Sequence, residues 1–178
     1  MDLLCFHSNY FKSALQGEFA EAQTKRVELL DEKPEAFALV VEWLYTHGIK
    51  VSGRGVGKGV YREEPNFGTL LEAWTLADYL HLPKLQNIIM KIMDERVTIH
   101  KEVPVGEVNR AYQPYSDSKL RAWILDTYVW VIPQHREMVD YFTEVSDLEI
   151  LKDILKALLP DMSTKKKFVL SKSHLVEE

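Results

Sequence analysis

The residues in this sequence with the chemistry for metal ligation or acid–base work are six histidines, His7, His47, His81, His100, His135 and His174, and one cysteine, Cys5. A zinc or metalloprotease site gathers its ligands at short fixed intervals, because a single ion must be surrounded by several donors. No two of these histidines stand at i and i+4, and a lone cysteine builds neither a cysteine-based zinc site nor an internal disulfide. A glycine-rich run, Gly53, Gly55, Gly57 and Gly59, invites comparison with a phosphate loop. The spacing fails: the pattern ending in Gly57-Lys58 needs Gly where Ser52 stands and Ser or Thr where Gly59 stands. The dinucleotide fingerprint likewise meets Lys58 or Val60 where its third glycine belongs. There is no Gly-x-Ser-x-Gly elbow for a nucleophilic serine. The sequence therefore predicts no catalytic residue, no metal and no cofactor, and the chain reads as a non-enzyme.

Stepping from chemistry to composition, 178 residues with 46% hydrophobic content are enough to bury a core as one domain or a domain with a helical extension. No apolar run approaches about 18 residues, and the N-terminus lacks a signal-peptide pattern, so membrane insertion and secretion are not expected. A net charge of −5 argues against nucleic acid, whose phosphates call for a basic face. An intracellular, protein-facing role, nuclear or cytoplasmic, is the expectation.

The element most sharply written is Arg26 to Val51. Val27 and Leu29 alternate with Arg26 and Glu28, the period of a strand with one buried face, and the polar turn Asp31-Glu32-Lys33 ends it. Pro34 is suited to a first helical position, with Lys33 a poor N-cap and Asp31 the alternative. Phe37, Val40, Val41, Leu44 and Tyr45 then form one apolar stripe. Gly48 is expected to close the helix in the left-handed conformation, with Ile49 folding back on Leu44.

Elsewhere the pattern is helical. Asp2 and Ser8 are caps for two short helices, the second carrying Tyr10, Phe11, Ala14 and Leu15 and ending at Gly17. Residues 51–68 read as a loop. Thr69 and Glu72 form a capping box before Ala73, Trp74, Ala77 and Leu80. His81-Leu82-Pro83 breaks that helix, and Leu85, Ile88, Ile89, Ile92 and Met93 line the next in a tight helical hairpin. After a boundary at 100–104 come a helix over 105–112, a turn over 115–118 and a helix whose inward residues are Leu120, Trp123, Ile124, Thr127, Tyr128 and Val131. Lys119 and Arg121 in its first turn face an unfavourable macrodipole of about 0.3–1 kcal/mol each, so a carboxylate, from Asp117 or from another helix, should offset them. A short helix over 137–142 follows, and then a second capping box, Ser146 with Glu149, opens a helix with Leu148, Leu151, Ile154, Leu155 and Leu158 as its stripe. Lys165 to Lys167 sit in a solvated tail; a nuclear-import patch is the alternative reading.

Three quoted stretches, PEAF with WLYTHG over 34–48, LADYLHLPKL over 76–85, and SKLR over 118–121, resemble BTB/POZ domain proteins of the fungal type, over roughly residues 3 to 160. The resemblance implies a mainly α, α+β BTB/POZ fold: a helical cluster with a short strand over 1–100, a C-terminal helical extension over 101–160 and a disordered tail over 161–178. LLCFHSNYF near the start resembles the family's segment after an N-terminal β-hairpin. That hairpin is missing from this chain, through an internal start or natural shortening, so the strand at Arg26 to Leu30 would have to pair with Ile49 to Val51 or with another protomer. Phe19-Ala20-Glu21 resembles the hydrophobic-x-Glu motif with which BTB adaptors grip cullin scaffolds of ubiquitin ligases. The physical logic is an aromatic anchor beside a carboxylate that accepts partner donors; the alternative makes Phe19 a core residue and Glu21 a solvated charge. By this resemblance the site residues are Phe19 and Glu21, with Tyr45 and Gly48 beside them. The implied role is a protein-interaction module, scaffold or adaptor. The competing readings are a cullin substrate adaptor, a nonfunctional fragment of a larger BTB protein and an enzyme; the expected partners are other proteins, a cullin among them, and a second copy of the chain.

Overall fold

The computed structural model describes residues 2–30, 32–50, 64–104, 109, 118–135, 139–140 and 148–159. They fall into two compact units, one ending at Ile92 and the other beginning at Met93, within a helix. The expectations for residues 51–63, the helix over 105–112, the Asp117 and Asp31 alternatives, the Ser146 cap and the tail lie outside the described residues.

The first unit opens with α1 (Asp2–His7) and α2 (Asn9–Gln16). Ser8 caps α2 as its residue type requires: its Oγ accepts the Phe11 N–H at 3.2 Å and donates to the Leu80 carbonyl at 2.5 Å. Phe11 and Leu15 turn inward, and Gly17 ends the helix where a Cβ would fall onto the Ser13 carbonyl oxygen. A short helix absent from the sequence reading follows, α3 (Ala20–Thr24), closed by Lys25 in the left-handed conformation at φ 54°.

Residues 26–29 do not form the expected strand, and no strand occurs among the described residues. The alternation was nevertheless real. Arg26 and Glu28 point outward and pair at 3.0 Å, while Val27 and Leu29 are half-buried. An extended chain becomes a strand only through a ladder of inter-strand hydrogen bonds, and no described segment supplies the other rail.

α4 (Pro34–Thr46) has Pro34 at its start and no side-chain cap from Lys33. Its buried face is Ala36, Leu39, Val40, Trp43 and Leu44, a rotation of the expected stripe that leaves Tyr45 77% exposed. Both faces share Val40 and Leu44; the observed one buries the large Trp43 and spares Tyr45 the need for a hydroxyl partner in the core. Nor does Gly48 make the left-handed turn. His47 does, at φ 55°, its N–H bonded to the Trp43 carbonyl.

α5 (Phe67–Tyr79) lies against α4. Its cap is Asn66, whose Oδ1 accepts the Thr69 N–H at 2.9 Å, and not the expected Thr69. Glu72, assigned to a capping box, instead pairs with Lys33 at 2.6 Å and ties α5 to the start of α4. α5 is buried nearly all round, Leu70, Leu71, Ala73, Trp74, Leu76 and Ala77 included. It ends in a full Schellman turn: His81 takes φ 54°, the Leu82 N–H reaches the Ala77 carbonyl at 2.8 Å, and the His81 N–H that of Asp78 at 2.9 Å. Pro83 then starts α6 (Pro83–Glu95) as expected.

The second unit continues α6 through a π-helical turn, Arg96–His100, ended by left-handed Lys101. α7 (Ser118–Val131) buries all six of its expected inward residues. Trp123 Nε1 donates to Asp94 at 3.3 Å and the Tyr128 hydroxyl to the Pro104 carbonyl at 3.0 Å, so both large polar aromatics in this core are satisfied. Against α7 lies α8 (Leu148–Leu158). Arg121 meets Asp153 at 2.6 Å, the interhelical carboxylate expected to offset its position. The buried stripe differs from the expected one: Ile150 and Ile154 are buried, while Leu148 and Leu155 are 65% and 58% exposed.

Candidate partner-binding surface

An open cleft of about 480 Å³ in the first unit is lined by Asn9, Tyr10, Ser13, Ala14, Phe19, Glu21 and His81. Three pieces of chain make it. One face of α2 contributes Asn9, Tyr10, Ser13 and Ala14. The extended link after Gly17 places Phe19 immediately before α3, with Glu21 in that helix's first turn. The Schellman turn of α5 presents His81. The bond from Ser8 to the Leu80 carbonyl fastens the start of α2 to this turn, so the Asn9 and His81 sides of the cleft are held together by one buried hydroxyl.

Phe19 is 63% exposed, which makes it a surface aromatic and not a core residue. Glu21 is half-buried, and no hydrogen bond or ion pair among the described residues engages its carboxylate. Tyr10 packs against Tyr79 with ring centres 4.8 Å apart and planes inclined at 50°, and the two hydroxyls are 3.0 Å apart. Burial first, then the Tyr79 hydrogen bond and charge, then the facing Glu21 carboxylate push the Tyr10 hydroxyl up to about 12, so it remains a neutral group at physiological pH.

Of the four residues singled out in the sequence, the structure brings Phe19 and Glu21 together. Tyr45 and Gly48 do not line the cleft; Tyr45 stands on the outer face of α4 and Gly48 just past its end. Sequence reasoning missed Tyr10, Asn9, Ser13 and His81 as neighbours of Phe19. The break at His81 was legible, but its left-handed turn, which aims the imidazole, was not. A second aromatic cluster also escaped. His7 lies 5.2 Å from His47 and 5.3 Å from Trp43, ring centre to ring centre. Burial, His47 and Lys84, in that order, hold the His7 imidazole below its ordinary value. Among the described residues no three metal-ligating side chains gather, and no helix is long and apolar enough to cross a membrane.

The cleft thus sets two aromatic rings beside a carboxylate that no described residue pairs. Residues 3–96 match the BTB/POZ domain family, and the chain belongs to it. BTB/POZ domains are protein–protein interaction modules. No curated protein and no solved structure matches the chain.

Proposed function

We propose that this chain is a non-enzymatic interaction module that receives its protein partner at the cleft, with Phe19 and Glu21 as the recognition pair. The observation that carries this reading is an aromatic ring 63% exposed beside a half-buried carboxylate with no partner among the described residues. An exposed ring of this kind is the usual anchor of an interface, and a carboxylate left unpaired is the acceptor that a partner's donor completes. The finer reading is a cullin adaptor of the fungal BTB type, working inside the cell. It is supported by the placement of Phe19 and Glu21 between α2 and α4 in a chain of this family. Sedimentation of the purified chain tests whether a second copy of it is a partner in the same role.

Capture of a cullin by the tagged chain is the test. Phe19→Ala and Glu21→Ala should each weaken it about thirtyfold or more, as expected for losses near 2 kcal/mol at an interface centre. Glu28→Ala, whose carboxylate is exposed and pairs with Arg26, should leave it unchanged. If Tyr45→Ala also weakens capture, the interface extends to the outer face of α4. If the wild-type chain captures no cullin, the adaptor reading falls and the general interaction module remains.

A further inference from the structure

The cleft has a chemical bias that the recognition pair alone does not state. Its walls are the rings of Tyr10 and Phe19, with the His81 imidazole, the Asn9 amide and the Ser13 hydroxyl around them, and its one formal charge is the Glu21 carboxylate. Among the described residues no lysine or arginine lines it. Lys25, four residues beyond Glu21, turns its ammonium to the Leu15 carbonyl at 2.9 Å instead. The negative carboxylate thus faces a solvent-open volume with nothing from this chain among the described residues to neutralise it.

We infer that the cleft takes a basic side chain, lysine or arginine, of the protein partner. This rests on the reading of this face as the partner surface. The argument is one of elimination by charge and shape. An acidic group would meet Glu21 at close range and be repelled. A purely apolar side chain would desolvate Glu21 without pairing it, which is costly. A long side chain with an apolar stem and a cationic end fits both parts: the stem lies along the rings, whose faces attract cations, and the head reaches the carboxylate. The volume, about 480 Å³, holds one such side chain with water around it. The neutral Tyr10 hydroxyl adds no repulsion toward a cation.

Probes that separate the charge from the stem decide it. The 15N-labelled full chain is titrated with Nα-acetyl-lysine methylamide and Nα-acetyl-arginine methylamide, and with Nα-acetyl-norleucine methylamide, which keeps an aliphatic stem without the charge. The cationic probes should shift the amides of residues 19–21 and 81 saturably in the millimolar range, norleucine should not, and added salt should weaken the effect. Glu21→Gln should weaken lysine binding about fivefold or more, while Glu28→Gln should not. Equal shifts with norleucine, or an unchanged lysine affinity in Glu21→Gln, overturn the inference. If no cationic probe binds although Phe19→Ala and Glu21→Ala abolish capture of the partner, the inference is overturned while the cleft remains the partner surface.

Discussion

At the scale of single residues, Phe19 and His7 sit at opposite ends of what a side chain does for a fold. Truncating a core phenylalanine costs about 3–5 kcal/mol, because burial and a cavity are both lost. Phe19 is mostly in water, so Phe19→Ala should lower the melting temperature far less than that cost implies, while removing partner binding. A large drop in melting temperature would return Phe19 to the core. His7 works through protons. The unfolded chain binds its proton at the ordinary value of 6.5, the folded chain only at lower pH. Stability on this account is full above that value and declines as pH falls below it. His7→Phe keeps a ring against Trp43 and His47 and removes the titration, so the slope of melting temperature between pH 7 and pH 5 should be shallower in the variant than in the parent chain. Equal slopes would mean that burial of His7 is not felt as a proton linkage. The sequence showed both residues plainly but neither role. Phe19 is one aromatic among many until its exposure is known, and His7 gains its neighbours only when α4 returns beside α1.

At the scale of elements, periodicity located helices well and oriented them less well. The stripe of α7 is right at every position, with Trp123 and Tyr128 both anchored by polar partners. α4 and α8 each carry two adjacent apolar rows: α4 buries the one with Trp43 and leaves Tyr45 out, and α8 buries the one with Ile150 and Ile154. The consequence for α8 is measurable. Ile154→Ala should cost about 2–5 kcal/mol, as for a buried aliphatic residue, while Leu155→Ala should stay within about 0.5 kcal/mol. The reverse ranking, read from denaturant unfolding, would restore the expected stripe. Caps followed the same logic. Ser8 was identified from sequence as the cap of α2, but its second bond, to the Leu80 carbonyl, is a contact 72 residues away. Ser8→Ala leaves a buried carbonyl and the Phe11 N–H without this hydroxyl, at a cost of about 1–3 kcal/mol. It should also weaken partner binding, since the two sides of the cleft lose their fastening, and Ser8→Thr should recover both. Binding that persists at full strength in a destabilised Ser8→Ala would show that the cleft is held by other contacts.

At the scale of the whole molecule, the PEAF and LADYLHLPKL motifs carried the family, and α4, α5, α6, α7 and α8 were legible as helices. Sequence punctuation marks where a helix stops, and α6 runs on from Pro83 to Glu95. The two units divide between Ile92 and Met93. α6 places buried Leu85, Ile89 and Met90 before that division and Met93 after it. A helix that serves two units through one hydrogen-bond ladder should transmit damage to both. Lys91 is exposed in the middle of α6, so Lys91→Pro leaves the buried side chains in place. It removes one ladder hydrogen bond and sets the ring against the preceding turn, at about 3 kcal/mol or more. The four tryptophans provide the readout, since Trp43 and Trp74 lie before the division and Trp123 and Trp130 after it. In chains that keep one pair and carry phenylalanine at the other, Lys91→Pro should shift the unfolding midpoint reported by each pair. A shift in only one of them would mean that the units divide more completely than a continuous helix allows, and that α6 belongs to the unit whose tryptophans respond.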